Sequence, residues 1–228
     1  MPQVVLKDLS KVFKIGGSEF TAVSGANLEI EKGDFISIVG HSGSGKTTLM
    51  SIIGGILRPS SGSVLFDGED IYSLGENRIS EYRAAKIGYV FQFASLMPVL
   101  TAKENLLLPT VFTPGLAQNG NREKKALEYL ELVGLKDKGG NFPYQLSGGQ
   151  QRRVAIARAI MNGPALLLAD EPTGDLDEET EAEVMKFFEL VNREMGITFV
   201  LVTHSSELAA AARRKFRMAN GTLTEKKP

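Results

Sequence analysis

The chain has no cysteine among its 228 residues, so neither a disulfide framework nor a thiolate metal site can form, an absence compatible with a reducing cytoplasm. It has no excess of one charge: Lys plus Arg number 26 against 27 for Asp plus Glu, a net charge of -1. A general nucleic-acid binder normally carries a basic surplus to meet phosphates, so nucleic acid is not expected as a partner. A membrane-spanning run is missing too. The most apolar stretch, Leu49 to Leu57, is interrupted by Ser51, Gly54 and Gly55 and falls far short of the roughly 20 residues a spanning helix needs. The opening residues Met1 to Asp8 lack a basic stretch followed by an apolar core, so no secretory signal is expected. Together these absences predict a cytoplasmic chain without direct membrane insertion, for which another polypeptide would supply any span. Repeats and low-complexity tracts are likewise absent.

A chain of this length can bury a sizeable core in one domain, with room for a subdomain. Four short apolar runs stand out: Phe35–Val39, Ile87–Phe91, Ala165–Ala169 and Ile197–Val202. Near-continuous apolarity over so few residues suits strands covered on both faces, as in a parallel sheet. Val4–Phe13 and Asn27–Ile30 read as antiparallel strands joined by the turn at Gly16-Gly17. Helical patterns fill the gaps. Thr47 to Leu57 is predicted to end at Arg58-Pro59, where proline cannot continue a helix. Glu123–Val133 and Glu178–Met195 are charged and amphipathic. Between Gln92 and Gly163 the strand signal fades, which predicts a helical insertion, residues 92–163, in an α/β core formed by 1–91 and 164–228. The segment 113–121 is turn-rich and reads as an exposed loop; the tail from Glu225 is expected to fray.

Gly40-His41-Ser42-Gly43-Ser44-Gly45-Lys46-Thr47 fits G-x-x-x-x-G-K-[ST] completely, with a strand before it and a helix after. Glycines let the backbone wrap a phosphate and aim its N–H groups inward, and the helix N-terminus adds partial positive charge. Lys46 would bring a full charge to the β- and γ-phosphates, and the Thr47 hydroxyl suits Mg²⁺. His41 occupies a variable position and is expected to act through its backbone N–H alone. Taken singly this loop defines a P-loop NTPase and leaves kinases and GTPases open. Asp170-Glu171 follows the third apolar run, where a strand end would place both carboxylates at a ligand crevice. Asp170 fits Mg²⁺ coordination, direct or through water, and Glu171 fits a base that polarises an attacking water.

A second anion seat lies downstream. Ser147-Gly148-Gly149 precedes a helix over Gln151–Met161, whose free N–H groups and the Ser147 hydroxyl would face an anion. One chain thus carries two phosphate-facing elements for what reads as one nucleotide. The run from Gln145 through Leu146, Ser147, Gly148, Gly149 and Gln150 to Ala159 resembles the signature and following helix of ATP-binding-cassette (ABC) proteins, and the resemblance extends over essentially the whole chain.

That resemblance implies the ABC ATPase fold: a mainly parallel α/β core, an antiparallel β subdomain and an inserted helical subdomain. It implies ATP and Mg²⁺ as ligands and a head-to-tail homodimer, each ATP lying between Gly40–Thr48 (Thr48 included) of one copy and Ser147–Gln150 of the other. It assigns Gln92 as the Mg²⁺ and lytic-water sensor, His204 as the residue contacting the γ-phosphate, Asp177 as the aspartate of the loop crossing to the partner, and Phe13 as the aromatic stacked on adenine. A separate transmembrane permease would be driven from the cytoplasmic face. Ile52–Gly55, Arg58–Gly62 and Leu100–Asn105 look like the lipoprotein-release and macrolide-export branch. The chain departs from that pattern at Phe93-Ala94-Ser95, where Gln-Phe-Asn is common, at Asp175, where exporters usually have Asn, and at Phe13, where tyrosine is commoner. Residues Leu96, Met97, Leu100 and Leu106–Leu108 fit either a subdomain core or a permease groove. Two other readings use the same engine: a regulatory ABC ATPase that signals across a membrane, and a soluble ABC protein of DNA repair or translation.

Overall fold

A computed structural model describes residues 1–113, 121–174 and 176–226. The first two strands, β1 (Val4–Ile15) and β2 (Ser18–Ile30), form a long antiparallel hairpin closed by Gly16-Gly17, both in the left-handed region. Two further strands, β4 (Ser61–Phe66) and β5 (Glu69–Asp70), complete a four-stranded antiparallel sheet in the order β2-β1-β4-β5. A second sheet of six strands runs β10-β9-β3-β8-β7-β6, comprising β3 (Phe35–Val39), β6 (Ile87–Val90), β7 (Leu166–Asp170), β8 (Thr198–Thr203), β9 (Arg214–Ala219) and β10 (Thr222–Lys226). All its pairings are parallel except β9 with β10. Every residue of β7 and β8 is buried, which is why those segments read as continuous apolar runs rather than alternating ones.

Three apolar clusters organise the molecule. One lies between the two sheets and holds Leu6, Ile30, Ile38, Ile52, Leu168 and Val202. A second covers the other face of the six-stranded sheet, where helix α6 (Glu178–Met195) packs Val184 and Phe188 onto Phe199, the two rings 5.3 Å apart. The third belongs to the helical insertion: α3 (Ala102–Val111), α4 (Arg122–Leu132) and α5 (Gly148–Ile160) bury Leu106, Leu130, Val154 and Ala157 together. A short α7 (Ser206–Ala210) follows β8.

Several boundaries differ from expectation. Helix α1 (Lys46–Ile53) stops short of Arg58-Pro59. Gly55 turns left-handed at φ 70°, and Ile56 N donates to Ser51 O at 2.9 Å while Gly55 N donates to Ile52 O at 3.0 Å. This paired closure satisfies the last carbonyls and ends the helix before proline is reached. Helix α2 (Glu76–Lys86) was not anticipated, because it buries only Ile79 and Tyr82 and shows almost no apolar stripe. At the tail, Glu225 and Lys226 are not frayed. They lie in β10, and Glu225 Oε1 accepts from Arg214 Nε at 2.8 Å. The expected loop at 113–121 falls mostly outside the described residues, as do Asp175 and the last two positions.

Candidate functional site

The loop between β3 and α1 is shaped by glycines that no other residue could replace. A Cβ on Gly40 would sit 2.3 Å from Met218 O, and one on Gly45 would sit 2.1 Å from Ala22 O. Gly45 also adopts φ 104°, open to glycine but costly for side chains with a Cβ. The loop thus nests against β9 and β2 while its other side faces a pocket of about 450 Å³. Ser42, Gly43, Gly45, Lys46, Thr47 and Thr48 of the loop line it together with Gln92, Asp170, Glu171 and His204. Four separate strand ends therefore deliver the P-loop, the acidic pair, Gln92 and His204 to one crevice at the carboxyl edge of a parallel sheet.

Lys46 is buried at 6% exposure, and its Nζ donates to Gly40 O at 2.8 Å and His41 O at 3.0 Å. His41 therefore enters through its carbonyl oxygen, a contact not foreseen; its side chain is exposed and does not line the pocket. Two buried polar atoms have no hydrogen-bond partner: Asp170 Oδ1 at the pocket, and Ser44 Oγ inside the loop beside Gly40, away from the lining. Such groups ordinarily find partners, and a cation at the carboxylate would supply one for Asp170. Burial raises the Asp170 pKa; a Thr47 hydrogen bond opposes the rise, the neighbouring Glu171 charge adds to it and Lys46 opposes it. Among the described residues no cluster of three or more His, Cys, Asp or Glu forms a metal cage. One carboxylate beside a threonine hydroxyl instead fits Mg²⁺, which keeps most of its shell for water and phosphate oxygens.

Glu171 occupies the left-handed region at φ 44°, a strain of about 1–3 kcal/mol for a non-glycine residue. Its backbone N–H donates to Val202 O at 2.9 Å, and its Oε2 lies 3.0 Å from His204 Nδ1 and accepts from His204 N at 3.3 Å. Its carboxylate is thus turned toward the end of β8 and locked to the histidine, whose side chain remains 69% exposed.

The remaining predicted site residues lie apart from this pocket. Ser147 caps α5: Gln150 N donates to Ser147 Oγ at 3.3 Å and Ser147 N to Gln150 Oε1 at 3.0 Å. Ser147 and Gly148 are exposed, and neither they nor Gly149 and Gln150 line the pocket. Asp177 caps α6, accepting from Thr180 N and Thr180 Oγ1, both at 2.9 Å, and this bonding lowers its pKa. Thr180 also lies under the signature, since a Cβ on Gly149 would meet its Cγ2 at 3.0 Å. Phe13 is not a lining residue. Its cross-strand partner Phe20, 52% exposed, lines the pocket together with Ala22. Neither Phe20 nor Ala22 was anticipated, although counting back across the Gly16-Gly17 turn places Phe20 opposite Phe13.

A glycine-wrapped P-loop facing an acidic strand end, with a helical insertion bearing a capped Ser-Gly-Gly start, defines an ATP-binding cassette. The model of the ABC transporter family matches residues 23–174, and the chain belongs to that family. Among its relatives, the lipoprotein-releasing system ATP-binding protein LolD of Geobacter metallireducens is 44% identical over 216 residues, covering 95% of each chain. The macrolide export ATP-binding/permease protein MacB of Syntrophobacter fumaroxidans is 43% identical over 223 residues, 98% of this chain and 31% of that protein. The chain therefore spans about a third of the macrolide-export relatives it matches, and these similarities agree with the lipoprotein-release and macrolide-export branch. A dimeric structure of the cassette MJ0796 in a post-hydrolysis state, bound to ADP and Pi, superposes with a TM-score of 0.92 at 41% identity over 98% of both chains; MJ0796 comes from Methanocaldococcus jannaschii.

Proposed function

We propose that the chain binds and hydrolyses ATP, that two copies close head to tail around two Mg·ATP, and that this closure drives a transmembrane permease. One observation carries the reading: the P-loop, the acidic pair, Gln92 and His204 share one crevice, whereas the Ser147 helix start is exposed and points elsewhere. A second anion seat that its own chain's pocket does not use is best explained by a nucleotide held on another copy. Thr47, Asp170 and Gln92 would hold Mg²⁺, which when bound neutralises phosphate charge. Lys46 would exchange its two carbonyl partners for phosphate oxygens. Glu171, aimed and restrained by His204, would accept the proton of the attacking water, with Gln92 opposite. Phe13 and Phe20 would flank the base, and Asp177 would face the partner.

A permease partner is supported by a run of large apolar side chains just beyond Gln92. Phe93 is 68% exposed and Val99 73%, with Phe91, Met97 and Ile56 also open to solvent. Of the residues that fitted either a core or a groove, Leu106 is core and Met97 is surface. Among the described residues no helix is long and apolar enough to cross a membrane, so a partner would supply the span, placing the chain at the cytoplasmic face. Export or lipoprotein release is the favoured direction, given the 95% mutual coverage with LolD. The test is steady-state ATPase activity of the chain and of Glu171→Gln. Loss of a general base should slow turnover by about 10²–10⁴-fold with ATP still bound; a variant as fast as wild type removes Glu171 from that role.

A further inference from the structure

A second cavity lies in the helical insertion and shares no lining residue with the nucleotide pocket. It measures about 350 Å³, within the range of small-molecule sites. Thr110 contributes from α3, Arg122, Lys125 and Tyr129 from α4, and Met161 and Asn162 from the residues after α5. Asn162 is fixed by its own bonds, its amide nitrogen donating to Ala84 O at 3.0 Å and Pro109 O at 3.1 Å. Met161, 2% exposed, adds apolar surface.

Two of these side chains bring positive charge that the protein leaves unmatched. Every carboxylate of α4 is engaged with another cation: Glu123 with Lys103 at 3.5 Å, Glu128 with Lys124 at 3.7 Å and Glu131 with Lys136 at 2.7 Å. Glu128 also borders the cavity, yet among the described residues no carboxylate forms an ion pair with Arg122 or Lys125. Residues 114–120, which precede them in the chain, contain no Asp or Glu. Both cations are half-buried. Arg122 Nη1 donates to Thr110 Oγ1 at 3.2 Å, a hydroxyl that itself donates to Leu107 O at 2.7 Å. Lys125 has the ring of Tyr129, its Nζ 5.4 Å from the centroid. Burial lowers the Lys125 pKa against the attraction of Glu128, the response of an ammonium short of counter-charge. The Tyr129 hydroxyl, whose pKa burial raises, makes no hydrogen bond to a described residue.

Arg122 and Lys125 stand three positions apart and are neighbours on one helix face. Two adjacent positive charges match a dianion, and a phosphate monoester carries about -1.5 to -2 near neutral pH. A single carboxylate would leave one of them unmet. The guanidinium fork fits phosphate oxygens, and the ammonium serves as a point charge beside it. We propose that this cavity binds a phosphate monoester group, held by Arg122 and Lys125 with the Tyr129 hydroxyl as a third donor. The site goes beyond the ATPase reading and does not depend on it.

The test follows the backbone amides of 121–129 by two-dimensional NMR while glycerol 3-phosphate is titrated into the full chain in the presence of Mg·ADP. Reading amides of α4 keeps any phosphate bound at the P-loop out of the measurement. The shifts should saturate. Lys125→Gln should weaken binding by about 10-fold, the worth of one charged hydrogen bond, and Arg122→Gln combined with it by more, with ATP turnover unchanged. Shifts that do not saturate, equal affinity in the double variant, or acetate binding as tightly as the phosphate would overturn the site. If the double variant fails to fold, the comparison of phosphate with acetate on the wild-type chain decides. Phosphatidylcholine vesicles with and without phosphatidate form the second arm. Capture by phosphatidate that the double variant loses, without a response to glycerol 3-phosphate, supports the same phosphate chemistry with a lipid headgroup as its source. A chain without ATPase activity that still gives saturable shifts defeats the functional reading and leaves this site standing.

Discussion

Asp170→Asn should stabilise the nucleotide-free protein while disabling it. The carboxyl is 6% exposed at the end of β7, with one oxygen unpartnered. Burial raises its pKa, and Glu171 adds to the rise against the Thr47 hydrogen bond and Lys46. A carboxyl whose folded pKa is raised binds its proton more tightly folded than unfolded. The folded state therefore bears its full penalty above the folded pKa, and the penalty disappears as pH falls below the unfolded value. Asparagine never ionises and still offers Thr47 an acceptor. At neutral pH the variant should gain about 1 kcal/mol, which for a chain of this length raises Tm by about 2–4 °C. The gain should shrink in acid. With Mg·ATP the order should reverse, because a ligand at 100 times its Kd adds about 2.7 kcal/mol to a protein that binds it only when folded, and the variant binds less. Scanning calorimetry across neutral and acidic buffers, with and without Mg·ATP, reads all three effects. A variant less stable than wild type without nucleotide at neutral pH, or a gap that does not change with pH, would refute the reasoning.

Other substitutions test other parts of the site. Gly45→Ala should abolish ATP binding and destabilise the fold, because its Cβ would lie 2.1 Å from Ala22 O at φ 104°; retained binding in a fluorescent-nucleotide titration would contradict the nested loop. Phe13→Ala and Phe20→Ala should each weaken ATP by about 2- to 10-fold, the worth of one aromatic stack, with kcat changed less. A variant with wild-type affinity removes that ring from the base site. Thr101→Ala should lower stability by about 1 kcal/mol, since Thr101 and Glu104 form the capping box of α3; an unchanged denaturation midpoint would show the cap to be dispensable.

Much of the core was legible because its physics is local. Phe35–Val39 matched β3 and Glu178–Met195 matched α6, one by a short, mostly apolar run and the other by an amphipathic stripe. The pocket wall was legible for a related reason: each functional residue ends a strand or starts a helix, and those ends carry the motifs. What escaped depended on pairing between distant segments. Phe20 lines the pocket only because of the hairpin register. The strands β9 and β10 drew no strand prediction, and the tail from Glu225 was expected to fray, because what orders them is pairing with the edge of the sheet. The partners of Arg152 and Arg158 likewise come from far along the chain, the carbonyls of Phe91 and Ser95 among them. Helix α1 ended early because Gly54-Gly55 made a better stop than the proline beyond it.

If each ATP site is shared between two copies, the mass of the protein in solution must depend on ATP. By sedimentation equilibrium, Glu171→Gln should be monomeric without nucleotide and double its mass with Mg·ATP. Adding Ser147→Arg to that variant should keep it monomeric while ATP still binds, because Lys46 and the P-loop are untouched. A Glu171→Gln protein that saturates with ATP as a monomer, or a double variant that still dimerises, would contradict the shared site.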